Sequence, residues 1–561
     1  MGASAFFTPL SKRDANNIES LASNVYVMLI VKEPMLTGGF MATIIKKIKL
    51  INYKRFLHYT IEPNSKINVL AGDNEVGKSS VLEAIELVSS GNIRKVEAIG
   101  IDRLLNIEAV RDFNSGPREY DKLPKLIVEL YLSGALEHTM NGKNNTSGTC
   151  CDGIRLVCEP NSDYQTEISD SLRAQPDYFP YDYYSIRFST FADEGYTGYK
   201  KKLRTILIDS TKMNSDYATN DFVKRMYIHY TEDDIKERAL HKSKYRQLKN
   251  DFCADGFLGI NSRIPPSNNY SFGLKQSSSF GLENDLMIYE AEVSIDSKGT
   301  GRQVFIKTDF ALGRAGGLVD VVLIEEPENH LSPVNLRKLI ELISKSQNGQ
   351  LFITTHNSLI STRLELQNLL IMHKKSKGKP ISLRDLSADT AKFFMKAPVT
   401  NIIEFVLSNK TILVEGPSEY MLLEKFYISI SDHKPEEDGV CIIDVRGLSF
   451  KRYLEIAKLL GNRVAVLTDN DGNKQKNCIN KYSGFFANSN IKIFYEDDET
   501  KTTFEKVLYD DNSALCDQLF SGNAVEYMLN NKTESAYRLL IQDDAIVVPA
   551  YIKGAISWIK E

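Results

Sequence analysis

The chain has 561 residues, with 69 Lys and Arg against 73 Asp and Glu for a formal net charge of −4, and 42% of it is hydrophobic. That length exceeds what one hydrophobic core serves, so two or three domains are expected, and the charge balance excludes a globally basic nucleic-acid binder without excluding a local basic surface. No apolar run approaches the roughly 18 residues of a membrane-spanning helix, and seven cysteines without a Cys-x-x-Cys pair read as reduced thiols, so a cytoplasmic protein without membrane contact is expected.

Residues 1–41 carry no periodic pattern and read as an N-terminal extension. A strand pattern runs from Ile44 to Ile51, and a second apolar strand from Ile67 to Ala71 leads through a Gly-containing loop into a helix whose apolar face holds Val81, Leu82, Ile85 and Val88. Residues 42–150 are therefore taken as the first part of an α/β domain. From 151 to 265 the text turns irregular, with an aromatic-rich stretch at Tyr178 to Phe191 and a charged helical run ending near Lys249, and it is expected to be an insertion. Alternation resumes within 266–390, through the strand Leu318 to Ile324, the helix Pro333 to Ser346 and the strand Gln350 to Thr354. Residues 391–561 read as a second domain, with strands at Thr411 to Val414, Val440 to Val445, Val464 to Thr468 and Ile491 to Tyr495 separated by helical segments. No internal repeat is visible.

The run Gly72-Asp-Asn74-Glu-Val-Gly77-Lys78-Ser79-Ser80 satisfies the phosphate-loop pattern and lies between a strand and a helix, where that chemistry requires it. Its backbone N–H groups can wrap phosphate oxygens, Lys78 can neutralise the β/γ-phosphates, and Ser79 can offer its hydroxyl to a nucleotide-bound Mg²⁺. A nucleoside triphosphatase also needs an acidic metal anchor and a base that orients water. Glu325 and Glu326, at the end of an apolar strand, are assigned those two roles. His356 follows the next strand and is read as a γ-phosphate contact. The segment Ser297-Lys-Gly299-Thr-Gly301-Arg302 resembles a degenerate ABC signature. In such a site Gly299 and Gly301 would present N–H groups to ATP held by a second copy, which calls for a homodimer or higher homo-oligomer.

In the second domain, Glu415 and Glu419 follow one strand and Asp469 and Asp471 end another. Each pair alone also fits a solvated turn. Together they suit hydrolysis of a phosphodiester by Mg²⁺ or Mn²⁺, which needs hard oxygen ligands in a fixed cavity.

Tyr53-Lys54-Arg55-Phe56, the phosphate loop, Glu325-Glu326-Pro327-Glu328, Thr355-His356 and these four acids together resemble the OLD (overcoming lysogenisation defect) family. The resemblance implies an ABC-type (SMC-like) P-loop ATPase domain carrying an inserted dimerisation region, followed by a C-terminal Toprim domain. It implies ATP with one Mg²⁺, and one or two Mg²⁺ or Mn²⁺ ions at the Toprim acids, with Glu505 of Thr503-Phe504-Glu505 serving the second ion and Lys553 stabilising transition-state charge. The activity implied is that of a DNA endonuclease in defence against phage, with a helicase or a reverse transcriptase and its nucleic acid as candidate partners in Gabija-like or retron systems. A DNA-repair-type ATPase clamp with a degenerate Toprim domain is the competing expectation.

Overall fold

A computed structural model describes residues 43–561 apart from 135–136, 175–177, 199–200, 210–221, 225, 229, 232–233, 267–268, 276–280, 314–318, 346–348, 374–377, 398–400, 448 and 543. The expected extension at 1–41 lies outside the described residues. In chain order the elements that build the two domains are β1 (Ile44–Tyr53), β2 (Phe56–Ile61), β3 (Ile67–Gly72), α1 (Lys78–Ser90), β4 (Leu126–Ser133), β5 (Cys151–Pro160), β6 (Tyr184–Thr190) and β7 (Thr205–Asp209). After them come α2 (Ile235–Gly256), α3 (Thr300–Gly313), β8 (Val321–Glu325), α4 (Pro333–Lys345), β9 (Gln350–Thr355), α5 (Ser358–Arg363), β10 (Leu369–Met372) and β11 (Ile381–Ser382). The C-terminal third adds α6 (Ala388–Lys396), α7 (Ile402–Leu407), β12 (Lys410–Val414), α8 (Pro417–Ser431), β13 (Val440–Asp444), α9 (Phe450–Leu460), β14 (Arg463–Leu467), β15 (Ile491–Phe494), α10 (Phe504–Asp511), α11 (Lys532–Leu540) and α12 (Ala550–Lys560).

Among the described residues these strands form three principal sheets. An antiparallel one runs β2-β1-β4-β5, with β6 also paired to β5. A second, ordered β11-β10-β3-β9-β8-β7, is parallel except for its β11 edge. The third, β13-β12-β14-β15, is parallel throughout.

Two-residue alternation divides each buried strand between two cores. Along β8, Val322 and Ile324 join Val304 of α3 and Leu336 and Leu339 of α4, while Val321 and Leu323 join Val81, Leu82 and Ile85 of α1. Each fully buried aliphatic side chain contributes about 1.5–3 kcal/mol. The same rule splits β12, whose Leu413 faces one core and whose Ile412 and Val414 face the other.

The expected boundary at 150/151 is corrected by the pairing pattern. β5 and β6 complete the antiparallel sheet and β7 pairs with β8, so residues 151–209 build the ATPase sheets rather than an insertion. Irregular spacing hid this, because the two faces of β5 are both largely buried and its alternation is blurred. What projects from the fold is the later helix α2, which has no buried residue. The expected break at 390/391 falls inside α6. Phe394 of α6 and Phe405 of α7 pack edge-on against Tyr453 of α9, at ring-centroid distances of 5.1 and 5.2 Å, so one continuous core spans both domains there.

Candidate functional site

Two clusters of polar side chains sit at the C-terminal ends of the parallel strands. In the first domain, β3 delivers the chain into the phosphate loop, and Gly77 caps α1 with φ +97°. A Cβ there would stand 2.5 Å from Phe56 Cζ, so both the backbone conformation and the close approach demand glycine. Lys78 is buried and donates to the carbonyls of Gly72 at 2.7 Å and Asp73 at 2.9 Å. Burial lowers the pKa of its ammonium, opposed by Glu326, Asp73, Glu328 and Glu325. Asn74 and Ser79 are exposed on the loop and the helix start, with Ser80 half-buried behind them. This loop chemistry fits a nucleotide phosphate: glycine-lined N–H groups, one buried cation and a free hydroxyl at a helix N-terminus.

Glu325 ends β8, in register with Thr354 on one side and Asp209 on the other. Glu326 leaves the strand with φ +39°, a left-handed conformation uncommon for a side chain of this kind. Its N–H donates to the Thr354 carbonyl at 3.1 Å, and its Oε1 stands 3.7 Å from His356 Nδ1. The sequence reading used Glu328 only in the resemblance, yet this buried carboxylate organises the corner. Its Oε1 accepts from Thr355 Oγ1 at 2.6 Å and from the His356 N–H at 3.0 Å. Gly299 and Gly301 open α3, which lies on the opposite face of the sheet from α1. Arg302 beside them is paired with Glu290, whose carboxyl is held down to about 2 by Arg302 and Lys298.

In the second domain, chain order reverses between the neighbours β12 and β14. Such a switch point leaves a crevice beyond the strand ends. Glu415 lies at the end of β12, and Gly416 and Pro417 start α8, which presents Glu419 in its first turn. β14 ends at Leu467, and Thr468 leads on to Asp469. Burial pushes the Glu419 carboxyl up to about 7, with Glu505 and Glu415 adding to it. Burial likewise pushes Asp469 up to about 8, aided by Glu419, Glu415 and Glu505. Glu505, in the first turn of α10, is 4% exposed.

Asp471 is exposed, turns with φ +48° and donates its N–H to the Thr502 carbonyl at 3.1 Å. Between the aspartates, buried Asn470 sends its amide to the carbonyls of Glu496 at 2.9 Å and Asp498 at 3.0 Å, tying the acidic loop to the strand end. Lys553 is exposed on α12.

Two residues here escaped the sequence reading. Lys532 Nζ lies 3.1 Å from Glu505 Oε2. Burial lowers the Lys532 pKa, but Glu505, Asp469 and Glu419 together raise it further, for a net upward shift. Tyr551 of α12 sits near Asp469, Glu419, Glu496 and Glu505, and its phenol is pushed well up, chiefly by burial. Neither carries a motif: Asn530-Asn531-Lys532-Thr533 reads as a polar turn, and Tyr551 as a core aromatic.

Thr503 Oγ1 is buried without a hydrogen-bond partner among the described residues, and with Glu415, Glu419, Asp469 and Glu505 it offers hard oxygen donors of the kind a divalent cation takes. Among the described residues no three His, Cys, Asp or Glu side chains converge closely enough to hold a metal ion.

Residues 406–471 match the family model described as "Overcoming lysogenization defect protein-like, TOPRIM domain". Residues 202–362 match "AAA domain, putative AbiEii toxin, Type IV TA system", and 47–255 match "AAA domain". The last of these begins in β1 and takes in β5 to β7. The Old nuclease of Escherichia phage P2 is 26% identical over 162 residues, which is 27% of this chain and 28% of that protein, so the chain spans under a third of this relative.

Among solved structures, the SMC head domain from Thermotoga maritima is 13% identical, covering 58% of this chain and 93% of that one at a TM-score of 0.27. The C-terminal region of the Xanthomonas campestris pv. campestris OLD protein is 19% identical, covering 27% and 95% at a TM-score of 0.20. The TOPRIM match following two ATPase-domain matches, on the sheets and sites described above, shows that the chain carries an ATPase domain followed by an OLD-like Toprim domain.

Proposed function

We propose that the protein is a metal-dependent DNA endonuclease whose Toprim site hydrolyses phosphodiester bonds under the control of ATP bound in the first domain. The observation that carries this reading is the placement of Glu415, Glu419, Asp469 and Glu505 about the switch point, where burial first and the neighbouring carboxylates second push Glu419 up to about 7 and Asp469 up to about 8. Holding buried carboxylates charged beside one another costs stability, and a bound cation would offset that cost. The likeness to the Old nuclease of phage P2 supports the same activity.

Glu415, Glu419, Asp469 and Asp471 would hold one Mg²⁺ or Mn²⁺ and Glu505 would serve a second. Bound there, such ions supply positive charge for the phosphate and acidify a water. The protein's own groups do the remainder. Lys532 neutralises Glu505 and offers positive charge at the rim of the crevice, a role for which its position suits it better than that of Lys553. Tyr551, held protonated, can donate a hydrogen bond toward a phosphate oxygen. Asn470 fixes the separation of the two aspartates from the acidic loop.

In the ATPase domain, Asn74, Gly77, Lys78 and Ser80 would cradle the phosphates. Ser79 and Glu325 would hold the nucleotide's Mg²⁺, Glu326 would take the proton of the attacking water, and His356 would contact the γ-phosphate. Gly299 and Gly301 would reach the nucleotide of a second copy, making the active ATPase a homodimer or higher homo-oligomer. The proposed setting is the cytoplasm, in defence against phage, alone or with a helicase or reverse-transcriptase partner.

The test is cleavage of supercoiled plasmid by purified protein with Mg²⁺ or Mn²⁺, with and without ATP, beside Asp469→Ala and Lys78→Ala. Metal-dependent nicking lost in Asp469→Ala supports the nuclease, and the Lys78→Ala lane gives the sign of nucleotide control. ATP turnover and DNA binding without cleavage under any metal would replace it with a clamp whose Toprim acids are structural. Plaque counts on cells carrying wild type or Asp469→Ala test the defence role.

A further inference from the structure

Directly behind Asp469-Asn470-Asp471 the chain winds into a π-helix over Gln475–Asn480. A π-turn bonds residue i to i+5, so side chains five apart stack on one side, whereas in an α-helix they point well away from each other. Lys476 and Lys481 are five apart and both exposed. The inner side of the turn is fastened to the carboxylate site. Asn477 Nδ2 donates to the Asn470 carbonyl at 3.0 Å, the buried Cys478 thiol donates to the Asp469 carbonyl at 3.5 Å, and Tyr482 is fully buried.

Lys474, at the start of the turn, is already committed to Asp497 at 3.4 Å. Among the described residues neither Lys476 nor Lys481 forms an ion pair; Lys481 lies over the Tyr482 ring with its Nζ 5.2 Å from the centroid. Two uncompensated cations are therefore held on one side of a rigid turn at the edge of an acidic crevice.

We propose that Lys476 and Lys481 form a phosphate clamp that seats a DNA strand across the Toprim carboxylates, a reading that rests on the nuclease assignment and names its substrate contact. The clamp offsets the repulsion between the acidic crevice and the DNA backbone, and it fixes where the strand crosses the strand ends of β12 and β14. Phosphate contacts of this kind set position and affinity without reading sequence.

The test uses the full-length chain carrying Asp469→Asn, so that DNA is bound and not cut, and follows the anisotropy of a fluorescein-labelled mixed-sequence duplex across a series of KCl concentrations. Each phosphate contact contributes about one to the slope of log K against log salt. Lys476→Gln and Lys481→Gln are each expected to weaken binding and flatten that slope by about one unit. Lys492→Gln, an exposed lysine on β15, should leave it unchanged. Equal slopes for parent, Lys476→Gln and Lys481→Gln overturn the clamp, as does an absence of DNA binding by the parent. If the wild type binds with a clamp-dependent slope yet cuts no DNA with any metal, the clamp stands and the nuclease assignment falls.

Discussion

Asp469 is the residue on which the second site's electrostatics turn. Its carboxyl is pushed from an ordinary 3.8 up to about 8. A carboxyl raised in the folded state costs nothing below its unfolded value, where both states are protonated, and costs progressively more as pH climbs through the folded value. Without divalent cation, the protein should therefore melt at a lower temperature at pH 8 than at pH 6, and Asp469→Asn should narrow that difference. Added Mg²⁺ or Mn²⁺ should raise the melting temperature of the wild type more at pH 8 than at pH 6, and scanning calorimetry with EDTA controls reads both effects. Equal metal responses at the two pH values would remove the carboxylate crowding as the origin of cation binding. Lys532→Gln acts in the opposite sense to Asp469→Asn. It strips the counter-charge from Glu505, so metal-free stability should fall most at pH 8. In the first site, Glu326→Gln keeps shape and hydrogen-bonding capacity but loses the base, and should lower ATP turnover about 10²–10⁴-fold while a fluorescent ATP analogue still binds.

At the level of elements, the phosphate loop depends on a backbone that only glycine adopts cheaply. Gly77→Ala would drive a methyl into Phe56, 2.5 Å away, at φ +97°. Nucleotide binding should be lost, and the change should be visible by isothermal calorimetry as absent heat rather than a shifted affinity. The β8 strand leads to Glu325 and Glu326 along an apolar ladder, so Ile324→Ala should destabilise by about 2–5 kcal/mol, the cost of a large-to-small change in a packed core. Chemical denaturation would measure it. The resemblance and spacing alone identified β3, α1, β8, β9, β12 and β14, because each is a buried strand or an amphipathic helix flanked by turn-forming residues. They missed the membership of β5 to β7 in the ATPase sheets, since a strand buried on both faces loses its alternation and pairing partners far along the chain leave no local trace.

For the whole molecule, the continuous core at α6, α7 and α9 predicts that the two domains do not melt independently. Phe405 and Phe394 both pack on Tyr453, so Phe405→Ala should lower the melting temperature of ATPase and Toprim signals together, read by inactivation of each activity after a heat step. Two separate transitions in the wild type would contradict this coupling. The ATPase site adds a test in solution: if Gly301 acts across two copies, a mixture of Lys78→Ala and Gly301→Glu proteins should regain part of the ATP turnover that each lacks alone.

What the sequence determined by itself is the kind of chemistry. A phosphate loop between a strand and a helix, a pair of glutamates after an apolar strand, and two acidic pairs at strand ends are local arrangements legible in the sequence, and the resemblance they carry together implied their roles. The tertiary structure decided which distant groups complete them. Lys532 reaches Glu505, and Glu328 holds the backbone N–H of His356. Neither of these is encoded as a short-range pattern, because each arises where the sheet's strand order and the packing of later helices fold remote segments against the strand ends.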